Sequence, residues 1–231
     1  LYTAYIVSKT AAELGLKVVD DPESIQICGN KIHQYDLFKK HNVPFIPTMF
    51  VNKDDMHHKR ITDIFNQLGK PVVLKAPYTS SSRYVEKAAC ETSFREVAKR
   101  FLRKSDVLAA QTFMPTAFDW RVGVLDSKIL YVCKYMIPKG RWKHGAKLRG
   151  KPTFIWGRTV SLKRENAPTA LKELALKACS AIGGGLYGVD IKQVNGEYVV
   201  VEVNDNPSIY AGYEDLRDKD IYGKIIAYLA D

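Results

Sequence analysis

No stretch of the 231 residues approaches the roughly 20 consecutive apolar residues that span a bilayer, and no basic-then-apolar leader opens the chain. The expectation is therefore a cytoplasmic protein with no membrane partner. Close cysteine pairs are also missing. Cys28, Cys90, Cys133 and Cys179 lie 62, 43 and 46 residues apart, so no zinc knuckle can form and the four read as free thiols. Repeats at solenoid periods are absent, and low complexity is confined to Thr79-Ser80-Ser81-Ser82. With 46% hydrophobic and 26% charged residues, disorder, collagen and coiled coil are excluded. The length suits one domain or two small ones.

Acid is scarce where base is dense. Ten basic residues and no acidic one lie between Lys134 and Arg164, while residues 165–231 sum to −5 within a chain of net charge +10. A solvated face is the plain reading of such a run, but a single-sign field repels itself and is relieved by a polyanion such as phosphate, nucleic acid or an acidic peptide.

Hydrophobic spacing predicts helices over 4–14, 31–41, 55–68, 93–104, 168–182 and about 218–230. Strands are expected at 17–20, 48–51, 72–76, 83–90, 107–113, 119–125, 128–137 and 154–162, with a basic loop over 139–151. Asp126-Ser127 reads as a hairpin turn. Asn195-Gly196, between strands 186–194 and 197–203, is the strongest hairpin signal in the chain. The outcome is two α+β lobes that meet near 112–114.

The chemistry concentrates in the second hairpin. Glu202 and Asn204 are two apart on one strand and so leave the same face. A tight turn brings Asp190 beside them. Two carboxylates and an amide oxygen are hard ligands suited to Mg²⁺ or Mn²⁺ with phosphate completing the shell. A polar solvent face is the alternative, but interleaved Val199, Val200, Val201 and Val203 argue that the strand is covered, and covered acids need partners. Lys75 ends an apolar strand above a polar loop, and Lys31 opens a helix where backbone N–H groups favour anions. No Ser-His-Asp or Cys-His arrangement is apparent. His57, His58 and His144 read as surface or loop residues.

Lys31, Val73-Leu74-Lys75 with its Ser-rich loop, Gln111-Thr112-Phe113-Met114, Asp119-Trp120-Arg121, Asp190 and the terminal Glu202-Val-Asn-Asp-Asn-Pro207 together resemble an ATP-grasp enzyme, more closely the RimK-like carboxylate–amine ligases. The likeness runs from about residue 17 to the C-terminus. It implies an α+β ATP-grasp fold of two lobes, 31–112 and 113–231, with the nucleotide between them. Residues 1–30 would then be the closing portion of a preceding N-terminal domain, and Leu1 in place of Met fits a truncated chain.

By matching position, the resemblance makes Asp190, Glu202 and Asn204 ligands of two Mg²⁺ or Mn²⁺ ions. Lys31 and Lys75 would hold ATP phosphates, with Ser80 and Ser81 in the lid over them. Gln111, Thr112 and Phe113 would meet adenine and Asp119 the ribose. Arg121, Lys134 and Lys143 would face the γ-phosphate or an acyl phosphate. The implied reaction activates a substrate carboxylate with ATP and passes it to an amine, possibly a glutamate added to a peptide or protein. Partners would be ATP, an acidic carboxylate substrate and an amine acceptor. One departure stands out, since 77–82 holds no glycine where many grasp enzymes carry a Gly-rich loop. Two alternatives remain: a grasp-fold kinase of a phosphorylated small molecule, and a nucleic-acid-binding module using the basic aromatic segment 131–158, although nucleic acid is not expected as the main partner.

Overall fold

The structure is a computed structural model that describes residues 2–78, 84–147 and 154–230. Ser80 and Ser81 lie outside the described residues, as do Arg149 and Lys151 of the basic run.

Two antiparallel sheets carry the chain. The smaller has the order β1 (Thr48–Val51), β4 (Leu108–Thr112), β2 (Val72–Lys75), β3 (Val85–Ala88). Helices α4 (His58–Leu68) and α5 (Glu91–Phe101) cover one face. Their apolar residues recur at helical spacing, so Ile61, Ile64, Phe65, Phe94, Val97 and Phe101 bury a core with Val72, Leu74 and Leu108. The larger sheet runs β11 (Glu197–Asn204), β10 (Leu186–Val194), β5 (Phe118–Leu125), β6 (Lys128–Met136), β9 (Thr159–Leu162). On one face α6 (Thr169–Ser180) packs Leu171, Leu174 and Ala178 against Trp120, Val122, Val189 and Ile191. The C-terminal helix α7 (Ile221–Ala230) closes a smaller cluster around Tyr131 and Cys133 with Ile221.

Both hairpin turns form as expected. Asp126 and Ser127 have φ of 47° and 58°, and Asn195 and Gly196 have 52° and 85°, the left-handed pair that matches strand twist. Other expectations fail for identifiable reasons. Residues 17–20 form no strand and pair with none of the sheet edges. Asp21 instead caps an unexpected short helix, α2 (Pro22–Cys28), by accepting a hydrogen bond from the Ser24 N–H, with Pro22 in the first turn. The first helix, α1, spans Tyr2–Glu13. The single strand expected over 154–162 is two, β8 (Phe154–Trp156) and β9. The break falls at Gly157, whose backbone packs so tightly on the Met136 carbonyl that no side chain fits. β8 pairs with β7 (Gly145–Lys147), which lies inside the span read as loop.

Helix α3 (Lys31–Lys40) begins the segment assigned to the smaller lobe, yet Tyr35 and Phe38 pack into the larger core. Asn30 caps it by accepting from the Ile32 N–H. Buried Gln34 clasps the exposed edge of β11, accepting from the Val203 N–H and donating to the Val203 carbonyl, both at 2.8 Å. Further along, Ile46 N–H donates to Val200 O and Val200 N–H to Pro44 O, so the chain is stitched to β11 before it enters β1. No helix among the described residues is long and apolar enough to cross a membrane.

One glycine transmits this packing to the cleft. A Cβ on Gly188 would stand 2.7 Å from Arg121 Nη1 and 2.7 Å from Pro207 Cβ. Gly188→Ala is expected to cost ~1–3 kcal/mol through overpacking, read as a lower Tm in thermal unfolding. An unchanged Tm would show that Arg121 and Pro207 yield freely.

Candidate active site

Three strands place one row of charge. Asp190 on β10 is opposite Glu202 on β11 and opposite Arg121 on β5, so all three side chains share a face. Arg121 grips Asp190 with two bonds, Nε to Oδ1 at 2.7 Å and Nη2 to Oδ2 at 3.0 Å. The bidentate fork satisfies a carboxylate that sheet burial would otherwise strand. Two residue pairs along, on the same face, Asn204 is opposite Gly188 and donates to the Gly188 carbonyl at 3.2 Å. Lys31, at the start of α3, reaches Glu202 at 3.3 Å. The clustering of Asp190, Glu202 and Asn204 anticipated from the hairpin is present.

The protonation states follow from burial against partners. Burial pushes Asp190 up to about 6 even with Arg121 pulling the other way, and Glu202 adds to the rise. Glu202 is as deeply set, yet Lys31, Lys75 and Arg121 outweigh its burial and hold its carboxyl below the usual range. Lys75, at the end of β2, is buried and depressed to about 8, with Glu202 partly restoring it. Lys143 is likewise lowered to about 8 by burial, and its ammonium donates to the Val85 carbonyl on β3.

These groups line one cleft of about 950 Å³ between the sheets. At its smaller-lobe end, Ile46 and Val73 make an apolar wall beside Gln111. Gln111 donates to Thr48 Oγ1, but its carbonyl Oε1 is buried with no hydrogen-bond partner among the described residues. A ligand donor such as an exocyclic base amine answers that vacancy of bonding. Of the hinge amides expected to face adenine, Thr112 N–H already donates to Pro47 O. Phe113 packs edge-on against Trp142, with the Lys87 ammonium 4.4 Å above its ring. Asp119 lines the cleft but accepts hydrogen bonds from Thr116 and Lys192.

One expected residue is elsewhere. Lys134 is opposite Trp120, on the face that packs under α6, and its ammonium sits 4.5 Å and 4.7 Å from the Phe118 and Trp120 rings. Strand alternation turns it away from the cleft and puts Tyr135 there instead. His144, expected at the surface or in a loop, lies in a loop, and that loop faces the cleft. It stacks on Tyr135 at 4.5 Å and hydrogen-bonds the Met136 carbonyl through Nδ1, while burial lowers its pKa. Sequence reasoning also missed Lys192, Tyr135 and Glu214. Period-2 alternation from Asp190 identifies Lys192, and from Arg121's partner strand Tyr135. Glu214 follows β11 in a turn-rich stretch with no periodicity to reveal it. Within the basic aromatic segment Tyr131 is buried in the core, while Tyr135, Trp142 and the exposed Trp156 line the cleft.

Among the described residues no three His, Cys, Asp or Glu gather to hold a metal unaided. Asp190, Glu202 and Asn204 offer hard oxygens on one face. This fits a divalent cation bound by one or two carboxylates, with phosphate and water completing its shell.

Comparison with known proteins agrees with this geometry. The RimK-like ATP-grasp domain family matches residues 28–229. The glutamate–LysW ligase ArgX of Sulfolobus acidocaldarius is 24% identical over 99% of this chain and 78% of its own length. A probable alpha-L-glutamate ligase of Shewanella loihica is 26% identical over 94% of this chain and 68% of its own. Among solved structures, the D-alanine–D-alanine ligase of Bacillus anthracis superposes with a TM-score of 0.75 at 15% identity, covering 97% of this chain and 73% of that one. The ATP-grasp ligase PsnB, complexed with a minimal precursor, gives 0.68 at 18% identity, covering 95% and 65%. The fold is the ATP-grasp fold, as expected.

The depressed lysines give a pH signature. Lys75 and Lys143 are cationic below about 8, so affinity for ATP should fall as pH rises from 7 to 9 in equilibrium binding. Unfolding does not cause this. An unfolded Lys75 holds its proton to higher pH, so its burial opposes folding below about 8 and that opposition fades as pH rises. Lys75→Met should weaken ATP binding at pH 7 by about tenfold or more and flatten the pH dependence. A pH-independent affinity would contradict the assignment.

Proposed function

This chain belongs to the RimK-like ATP-grasp family of ATP-dependent carboxylate–amine ligases, and we propose from that premise that it joins an acidic carboxylate to an amino acid or peptide amine. The observation that carries the reading is the row Arg121–Asp190–Glu202 with Asn204 and Lys31 at its ends, facing a cleft that Lys75 and Lys143 also enter. The smaller sheet with α4 and α5, and the larger sheet on which α3 packs, close on the nucleotide from either side.

In this reading Asp190, Glu202 and Asn204 hold Mg²⁺ or Mn²⁺, which when bound neutralises phosphoryl oxygens. Lys31 and Lys75 orient the triphosphate, and Gln111 Oε1 accepts a hydrogen bond from the base. Arg121 and Lys143 draw the substrate carboxylate to the γ-phosphoryl and stabilise the charge that builds there. The carboxylate displaces ADP to give an acyl phosphate, and the amine then displaces phosphate to leave an amide. No covalent nucleophile is required, and positioning with charge neutralisation suffices.

The names of the relatives, a glutamate–LysW ligase and an alpha-L-glutamate ligase, support glutamate as one of the joined partners. An acidic substrate also suits Lys143 and Arg158, the members of the basic run that line the cleft.

The test is a panel of acidic carboxylates paired with amino acids and peptides, scored for ATP-to-ADP turnover. Phosphate release that requires both partners and accompanies amide formation is expected. Transfer of the γ-phosphate to a stable phosphoester would make the protein a kinase. Strongly salt-dependent oligonucleotide binding without ATP affinity would overturn the reading altogether.

A further inference from the structure

Glu214 stands where two cavities meet. It is 2% exposed, and it lines both the reaction cleft and a second cavity of about 280 Å³ behind it. On the cleft side its Oε1 accepts from the Tyr135 hydroxyl at 2.6 Å, and its Oε2 accepts from the Tyr210 N–H at 2.8 Å. Each oxygen keeps lone-pair capacity beyond those bonds. Tyr135 lies in turn under the Arg121 guanidinium, 5.2 Å from ring centroid to cation. Only one side chain therefore separates Glu214 from the charge row.

Among the cleft's carboxylates its position is distinctive. Asp190 is gripped by Arg121, Glu202 by Lys31 and Asp119 by Lys192, so each has a cation on it. Glu214 forms no ion pair among the described residues, only hydrogen bonds from neutral donors. A buried carboxylate without a cation is suited to receive one, or to receive a proton.

The second cavity supplies a route outward. Tyr131 lines it, and the buried Tyr131 hydroxyl has no hydrogen-bond partner among the described residues. Such hydroxyls are ordinarily met by ordered water, and a polar space of this size admits several molecules. The outer wall is charged, with Lys163, Arg164 and Arg217 against Glu165 and Asp218, and Arg164 pairs with Asp218 at 3.0 Å. The groups facing Glu214 from β6 are Tyr131, Cys133 and Tyr135, and from the β7 end His144. Burial keeps the three β6 groups protonated at neutral pH, so none of them can take the proton, and it lowers the proton affinity of the His144 imidazole.

We propose that Glu214 is the base that takes a proton from the attacking ammonium and passes it to the polar cavity behind. This rests on the ligase reading above. The step balances: the ammonium gives one proton to the Glu214 carboxylate, and the neutral amine nitrogen bonds the acyl carbon. The carbon–oxygen bond to phosphate breaks with its electron pair on phosphate, which takes the second proton from nitrogen. Glu214 then releases the first proton through the cavity, without the cleft opening.

Hydroxylamine is the discriminating probe, because its nitrogen is already neutral at neutral pH and needs no base. With ATP, Mg²⁺ and the carboxylates of the panel, Glu214→Gln is expected to form hydroxamate at near the wild-type rate. Its amide formation with L-glutamate as amine should drop ~10²–10⁴-fold, and should recover as pH rises toward the amine's own deprotonation. Equal loss of hydroxamate and amide, or of neither, would overturn the assignment. Wild-type protein that makes neither product while still turning over ATP would overturn the ligase reading itself, and this assignment with it. If Glu214→Gln does not fold, the wild-type pH–rate profiles decide. The acidic limb of amide formation should differ from that of hydroxamate formation, which follows hydroxylamine's own protonation, and identical profiles would contradict the proposal.

Discussion

Two carboxylates set side by side on a covered sheet face can both ionise only if cations are carried to them. Asp190 and Glu202 impose that requirement, and much of the molecule answers it. Arg121 comes from the neighbouring strand, Lys31 from the head of a helix, and Lys75 from the end of a strand in the other sheet. Each is buried at a cost that the paired acids help to offset. Their number exceeds what two carboxylates need, which is the electrostatic state expected of a site that receives a triphosphate with its metal.

The scaffold's less conspicuous contacts hold these cations in place. The Gln34 clasp on β11 fixes α3 against the strand that carries Glu202 and Asn204, and so fixes where Lys31 points. The stitching of Pro44 and Ile46 to Val200 ties the entry of the smaller sheet to the same strand. β11 is thus both the bearer of Glu202 and Asn204 and the anchor for the chain that leads toward Lys75. Gly188 leaves room for Arg121 to lie flat beside Pro207. Sheet register, helix docking and one missing side chain converge on the same few ångströms.

Much of this was legible in the sequence because it rests on period-2 alternation and turn chemistry. Asn195-Gly196 dictated the hairpin, and the spacing of Glu202 and Asn204 dictated their shared face. Lys134 shows the limit of reading a basic run without register: one position along the strand exchanges cleft for core, and Tyr135 holds the place. The strand expected at 17–20 failed because strand formation needs a partner edge, which local sequence does not encode. Helix α2 was signalled by Asp21-Pro22 and Ser24, but its brevity gave no apolar period. Glu214 and His144 were beyond reach, because tertiary packing of irregular segments alone brings them to the cleft.

The central claim is that ATP is used to phosphorylate a carboxylate within this charge row. Oxygen transfer tests it most directly: a substrate labelled with ¹⁸O in its carboxylate is turned over with ATP and an amine, and the released phosphate is analysed by mass. The account predicts one ¹⁸O atom per phosphate, carried from the carboxylate through the acyl phosphate. Phosphate free of label, with the label retained in the carboxyl group, would contradict it.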